Sequence, residues 1–460
     1  EKASAEILLT GRALQIAMSQ GELSGVGLEG VWAEVALPSS GPYWLNIRSE
    51  ALLDATQGVN FIHATPLAAE FDPYFDLFTL DAPLTLTLDL SIPLGGKKNE
   101  QTKVNGLVQV SEGSAFVKEW GLQFSHLNGV MGFTEKGAYT RGLSAQLFNK
   151  PVELTVGPVQ ENKQTLTAWQ LKGILSIPEI AKQIPSHLWE YASGQSAFTA
   201  RLLTGGNGPG ADFSIASNLE GIALNLPAPL NKTAQRQTPF RYTRTLGGTH
   251  NQKMRFEFNH IIDALLQFNE VKTEQDNTEQ VLTGGRIQLG GALAKLEVPK
   301  GVYVTGALDQ FSLDIWRDFI ASFEAKNKAK TTTTPGLGNQ LWSQLQQVDV
   351  KIAKLEAFHY PLTRASVRLN RASEGWLLKL VSHEWEGQAR FPQQEKAPVV
   401  LNFDYCNWDA SRYTKGTGTI DPRDIPAITF ACQEFIYNQK SLGLVRLEMV
   451  PQELGLRLSR

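Results

Sequence analysis

A few short stretches of the sequence carry residue types that could do chemistry. HEWEG at 383–387 places Glu384 and Glu386 two residues apart, and paired carboxylates can act as general acid and base. These letters also resemble the start of a zinc-protease motif, but the second histidine is missing. GVGLEG at 25–30 matches the glycine spacing of a dinucleotide-binding loop, which requires a helix directly after it.

The surroundings of both motifs predict strands instead. After GVGLEG the chain continues as VWAEVALPSSG, in which every second residue is apolar up to Leu37. On a strand, Glu384 and Glu386 would share one face, which we interpret as a solvated side. We therefore predict no catalytic residue, no metal site and no cofactor, and we do not expect an enzyme.

Composition excludes other classes. The 460 residues carry a formal net charge of −3 without a long basic run, which argues against nucleic acid as a partner. No apolar stretch approaches the length of a membrane-spanning helix. Cys406 and Cys432 are the only cysteines. We interpret them as two buried thiols, with a disulfide in an oxidising compartment as the alternative.

The dominant pattern is strict alternation. In DAPLTLTLDLSIPL (81–94) the even positions from 84 onward are apolar, and the positions between them are mostly polar. Similar alternation recurs along the chain and predicts strands with one apolar face. The residues that we expect to line such faces are Leu84, Leu86, Leu88, Leu90, Ile92, Ile222, Leu224, Leu226, Ile287 and Leu289.

Helical patterns are few, so the predicted fold class is mostly β with a few short helices. One helix is predicted near 178–193 and a second within 311–326. The stretch 324–340 combines a basic run, four threonines, proline and glycine, which indicates a linker or long loop. The expected organisation is therefore an extended β segment over 1–323, a linker over 324–340 and a continuation over 341–460.

The most distinctive stretch is SIASNLEGIALNLPAPLNKTAQRQTPF at 214–240. It resembles a serine, leucine, glycine and Leu-Pro-x-Pro signature of the AsmA-like proteins of Gram-negative bacteria, in particular the YhdP type. Asn218 stands where that pattern usually has aspartate. The matching residues here are Ser217, Leu219, Gly221, Leu226, Pro227, Pro229 and Lys232.

The resemblance implies an elongated, twisted and curled antiparallel sheet that forms an open apolar groove. It also implies a bridge-like carrier in the periplasm that moves phospholipids between the inner and outer membranes, with acyl chains in the groove. Relatives are anchored in the inner membrane by one N-terminal helix, which we expect to be missing from this fragment. Contact with the outer membrane is a further expectation.

An apolar sheet face without many helices can pack on a second sheet, close as a barrel or curl around a guest. Carrying a phospholipid bare through water would cost on the order of 20 kcal/mol, and a continuous apolar face removes most of that barrier. Because apolar contact is non-directional, the lipid could slide along such a face. The alternative is a periplasmic structural or assembly scaffold with a sealed β core and no lipid cargo.

Overall fold

The computed structural model describes most of the chain, and the described part is mostly β with a few short helices, as the alternation predicts. The residues outside the description are 1–3, 24–25, 37–42, 64–77, 95–101, 119–120, 135–136, 162, 185, 205–210, 247–250, 273–277, 328–336, 395–396, 414–424, 453–454 and 460.

The chain folds as two compact units. Unit 1 comprises Glu1–Pro185 and Gln195–Ser217, and unit 2 comprises Ser186–Gly194 and Asn218–Arg460. The stretch predicted as a linker, 324–340, belongs to unit 2. Its first four and last four residues are helical, and the part between them lies outside the described residues.

The strands of unit 1 form an antiparallel ladder. Consecutive strands pair as neighbours from β1 to β4 and from β6 to β13, β4 pairs with β6, and β5 pairs with β7. The first three residues of β12 belong to unit 2. The strand bounds are β1 Ser4–Leu9, β2 Ala13–Leu23, β3 Val26–Ala36, β4 Tyr43–Asp54, β5 Phe78–Asp81, β6 Pro83–Leu94, β7 Lys103–Val117, β8 Leu122–Thr134, β9 Gly137–Leu147, β10 Lys150–Glu161, β11 Gln164–Ser176, β12 Ala192–Thr204 and β13 Ala211–Ser217.

Unit 2 has a ladder of its own. Neighbours pair in sequence order from β15 to β27, and the short β14 pairs with the start of β12. The strand bounds are β14 Ile222–Leu224, β15 Phe240–Leu246, β16 Gln252–Phe258, β17 Ile262–Lys272, β18 Thr278–Leu289, β19 Gly301–Ser312, β20 Leu345–Ala357, β21 Tyr360–Ala372, β22 Gly375–Val381, β23 Trp385–Pro392, β24 Val399–Trp408, β25 Ile428–Tyr437, β26 Lys440–Gln452 and β27 Gly455–Ser459.

The sheet of unit 2 is mixed, and most of its neighbouring pairs are antiparallel. The pairs β18–β19, β19–β20 and β24–β25 are parallel. A parallel pair needs a long crossover connection, and each of these three follows such a connection. Alternation of side chains is the same in both strand directions, so the sequence pattern could not distinguish them.

The described residues include four α-helices. They are α1 Ala55–His63, α2 Ile177–Gln183, α3 Leu313–Asn327 and α4 Leu337–Gln344, and a 3₁₀ turn covers His187–Tyr191. The α2 helix and the 3₁₀ turn occupy the region predicted as one helix near 178–193, with Pro185 between them. Among the described residues, no helix is both long and apolar enough to cross a bilayer.

The core of unit 1 is a continuous cluster that follows one face of the sheet from β4 to β11. Leu84, Leu86 and Leu88 of β6 are 7%, 4% and 5% exposed within it. The α1 helix packs on this cluster through Ile62. A Cβ atom at Gly58 of α1 would lie 3.1 Å from Leu84 Cδ1, so the glycine permits this close approach.

Leu86→Ala should therefore lower the free energy of unfolding of unit 1 by about 2–5 kcal/mol, because it leaves a cavity in a packed cluster. Thr87→Ala, on the opposite face of the same strand, should change it by less than about 0.5 kcal/mol. Urea unfolding monitored by tryptophan fluorescence measures both. Equal effects of the two substitutions would contradict the assignment of the faces.

Candidate functional site

The candidate site is the apolar face of each sheet, and in unit 2 it can be followed strand by strand. Cross-strand register aligns one residue from each of twelve neighbouring strands, β15 to β26, into a row. All of its members are apolar: Tyr242, Phe256, Ala264, Ile287, Val304, Val348, Leu369, Leu378, Ala389, Leu401, Phe430 and Leu447.

The opposite face of the same twelve strands is polar. Ion pairs link neighbours on it, with Arg368 Nη2 2.7 Å from Asp349 Oδ2 and Arg255 Nη2 2.8 Å from Asp263 Oδ2. Opposite charges on adjacent strands support that register. The row beside the apolar one runs Arg241, Glu257, Asp263, Gln288, Thr305, Asp349, Arg368, Lys379, Gln388, Asn402, Ala431 and Arg446.

Burial along the apolar row is incomplete. Apart from Ala264 and Ala389, its members are only half-buried. A second layer packed on the face would bring such side chains to the near-zero exposure of a protein interior. The row therefore lies on a face that its own sheet covers only in part.

Packed apolar clusters lie toward both ends of the central strands of this sheet. At the start of β20, Leu345 is buried with Leu282 and Val302, and Leu341 of α4 packs against them. Beyond its end, Tyr360 is 0% exposed, and its ring centroid is 4.6 Å from that of Trp408. Three members of the row pack against these clusters: Val304 and Val348 against both, and Ile287 against the first.

Unit 1 shows the same division of faces. An apolar row crosses β1, β2, β3, β4, β6 and β7, and it includes Leu90, which is half-buried. Its members are Ile7, Ile16, Ala33, Ile47, Leu90 and Val104. The polar row on the other face consists of Gln15, Glu34, Asn46, Ser91 and Lys103.

Comparison with known proteins identifies the family. The sequence model of the family described as "YhdP protein" matches residues 1–460. The chain belongs to the YhdP family. A curated relative, the "Intermembrane phospholipid transporter YhdP" of Escherichia coli (strain K12), is 27% identical over 179 residues. That alignment covers 38% of this chain and 14% of the relative.

Some of the residues predicted to line the apolar faces of this YhdP-family chain are buried in packed clusters, and others are half-buried. Leu84, Leu86 and Leu88 lie in the packed cluster of unit 1, and Leu90 and Ile92 are half-buried farther along the same strand face. Ile287 lies in the row of unit 2. Leu289, two residues farther along the same strand, packs against the cluster that contains Tyr360.

The three predicted residues near 222–226 have a different setting. Their strand, β14, covers only Ile222–Leu224 and is not part of the twelve-strand row. Ile222 is 4% exposed, Leu224 is half-buried, and Leu226 follows the end of the strand. Alternation continues past the point where pairing ends, so the pattern predicted a longer strand than the one that forms.

The family signature forms a loop that closes on itself. Leu224 and Lys232 exchange backbone hydrogen bonds of 2.8 and 3.0 Å, and Gly221 donates its N–H to Ala234 O at 2.7 Å. Outside the loop, Ser217 Oγ donates to Ala197 O. These signature residues therefore stabilise the backbone conformation of the loop and of the strand before it through hydrogen bonds.

Lys232 is the anchor of this loop. It is 5% exposed, and its ammonium donates to Ile222 O at 2.6 Å and Thr233 O at 3.0 Å. Burial, together with the nearby charge of Arg236, lowers the pKa of Lys232 below its ordinary value. Trp316 of α3 adds a hydrogen bond of 2.8 Å from Nε1 to Ala228 O.

Glu384 is a buried residue whose carboxylate is hydrogen-bonded within the fold. The prediction that it shares a solvated face with Glu386 is wrong. Glu384 is 4% exposed and precedes β23, whereas Glu386 is exposed. The Glu384 carboxylate accepts the Thr363 N–H at 2.7 Å, the Thr363 hydroxyl at 2.8 Å and Arg412 Nη2 at 3.0 Å. Burial raises the pKa of Glu384, but these hydrogen bonds more than offset it, so the net shift is downward.

Two other groups of side chains could take part in chemistry: the two cysteines and a cluster of possible metal ligands. Cys406 and Cys432 are buried and not linked by a disulfide. Burial, with a hydrogen bond to Cys432, raises the pKa of the Cys406 thiol, which favours the thiol over the thiolate. Asp314, Glu356 and His359 bring possible metal ligands within 4.8 Å of one another. Asp314 Oδ2 accepts the backbone N–H of His359 at 2.8 Å, and Asp314 Oδ1 lies 3.4 Å from Arg317 Nη1.

Glu384→Gln should lower the free energy of unfolding at neutral pH by about 1–3 kcal/mol, because a buried charged acceptor is lost. Since folding lowers the pKa of Glu384, its stabilisation is complete above the unfolded-state value of about 4.3 and disappears as pH falls through the lower folded-state value. The difference between wild type and variant should therefore shrink in acid. Denaturant unfolding at several pH values measures it.

The matched control is Glu386→Gln, which alters an exposed carboxylate two residues away. We expect a change below about 0.5 kcal/mol at every pH. A Glu384→Gln effect that grows as the pH falls would contradict the assigned charge state.

Proposed function

We propose that the chain carries phospholipids between two membranes, with acyl chains lying along the apolar faces of its sheets. The observation that carries this proposal is the twelve-strand apolar row of unit 2, which is half-buried and opposite a polar face. The name of the Escherichia coli relative, an intermembrane phospholipid transporter, supports the same cargo.

The apolar row of unit 2 is continuous, and it suits a cargo whose acyl chains are poorly soluble in water. At about 4.8 Å between neighbouring strands, the row runs about 50 Å along the sheet without a polar member. Each CH₂ group that leaves water contributes about 0.8 kcal/mol, wherever it lies along the track. Neighbouring positions are therefore close in energy, and a bound chain can move between them.

This role needs no bond to be made or broken, so the function proposed is that of a carrier and not of an enzyme. In this proposal the chain works in the periplasm of a Gram-negative cell. Contacts with the inner and outer membranes belong to the same proposal. Leu90 and Ile92 of unit 1, with Ile287 and Leu289 of unit 2, are proposed lipid contacts, whereas Leu84, Leu86 and Leu88 belong to the packed cluster of unit 1.

Photocrosslinking at neighbouring positions of β22 tests the proposal. A benzoylphenylalanine at position 378 replaces Leu378 of the apolar row, and one at position 379 replaces Lys379 of the polar row. After incubation with phospholipid vesicles and irradiation, mass spectrometry should find phospholipid attached at 378 but not at 379. The two variants share a strand and differ only in the face that they probe.

Leu378→Asp extends the test without a probe. The variant should lose co-purifying phospholipid while its melting temperature stays near that of wild type, because Leu378 is only half-buried. Lys379→Asp should retain the lipid. Crosslinking at neither position, together with a large loss of stability for Leu378→Asp, would instead support a sealed scaffold.

A further inference from the structure

A cleft in unit 2 lies on the polar side of the sheet and is not used by the apolar row. The signature loop forms one wall through Pro229, Asn231 and Arg236, and strands β19, β20 and β21 form the other. The cavity has a volume of about 1060 Å³ and is open to solvent. It is large enough for a small anionic ligand or a lipid headgroup.

The sheet is irregular where it forms this wall. Leu308, Ile352 and Ala365 are paired across the three strands on the apolar side, and the next apolar row is Phe311, Leu355 and Leu362, three residues along each strand. In regular strands this spacing would be even. Each strand therefore has one extra residue, as in a β-bulge, and the three irregularities are aligned.

This extra residue places two consecutive side chains of each strand toward the polar side. Asp309, Ala353 and Arg364 are among them, all exposed and all lining the cleft. Arg364 has a φ of 53°, a left-handed conformation that is unfavourable for a residue with a Cβ atom. Irregular strands and such backbone conformations occur preferentially at functional sites.

The charges that line the cleft are mainly positive. Arg236, Lys351 and Arg364 each contribute a cation and His260 contributes an imidazole, whereas Asp309 is the single acidic residue of the lining. In the part of the chain that the structure describes, none of the three cations forms an ion pair.

Elsewhere on the same polar face, two arginines have carboxylate partners. Arg368 pairs with Asp349 at 2.7 Å, and Arg255 pairs with Asp263 at 2.8 Å. Within the described part of the chain, Arg236, Lys351 and Arg364 have no such carboxylate partner. A concave surface lined by one sign of charge concentrates the field and attracts ions of the opposite sign.

We infer that this cleft binds a phosphate-bearing anion. Arginine side chains offer paired N–H donors that match phosphate oxygens, and Lys351 adds a compact positive charge. The phosphate could belong to a soluble molecule or to the headgroup of a lipid at a membrane surface. Because the site lies on the face opposite the apolar row, it does not depend on acyl chains being carried there.

A double variant, Arg236→Gln with Lys351→Gln, tests the inference. The control is Lys379→Gln with Arg446→Gln, which removes two exposed cations from the same polar face outside the cleft. Calorimetric titration with inorganic phosphate and glycerol 3-phosphate at constant ionic strength should show saturable binding to wild type and control. Affinity should fall at least about tenfold in the double variant, which loses two charge-assisted contacts.

Flotation with vesicles separates the two sources of phosphate. If the phosphate belongs to a lipid headgroup, phosphatidylglycerol vesicles should bind wild type and control but not the double variant. Phosphatidylcholine vesicles, which carry no net charge, measure the binding that does not depend on lipid charge. Binding of soluble phosphate without selective vesicle binding identifies a soluble ligand.

Two outcomes would overturn the inference. One is wild-type protein without saturable binding to either soluble anion or to phosphatidylglycerol. The other is an equal loss of affinity in the control, which would indicate general attraction between charges. All four substituted residues are exposed, so unchanged melting temperatures should accompany both variants. Crosslinking of lipid at position 378 in the double variant reports the carrier function separately.

Discussion

Cross-strand register is the constraint on which the rest of this molecule depends. In a β-strand, a shift of one residue moves every side chain to the other face of the sheet. Over twelve strands of unit 2, the pairing keeps one row apolar and the adjacent row almost wholly polar. A slip at any single pair would place charges such as Arg368 in the apolar row, so each strand must pair in one way.

Packing at the two ends of the strands supplies the stability that this arrangement needs. Leu282 and Val302 at one end, and Tyr360 and Leu362 at the other, are at most 1% exposed. Buried apolar surface contributes about 25 cal/mol per Å², so these clusters can hold the strands in register. The row remains half-buried although Val304 and Val348 pack against both clusters.

Alternation in the sequence predicted β6, the β class of the fold and the apolar positions Ile287 and Leu289. It did not predict the parallel pairs, because strand direction leaves the alternation unchanged. It also misplaced Glu384, whose burial depends on Thr363 and Arg412, partners that are distant in sequence. The cleft had no local signal for the same reason, since its loop and its three strands meet only in the fold.

The aligned irregularities of β19, β20 and β21 show how a polar site can be built on such a sheet. An extra residue in one strand alone would reverse the faces of that strand relative to its neighbours. Because all three strands carry it at the same level, Phe311, Leu355 and Leu362 return together to the apolar side. The register constraint is thus kept, while Arg364 and its neighbours gain positions on the polar side that regular strands would not provide.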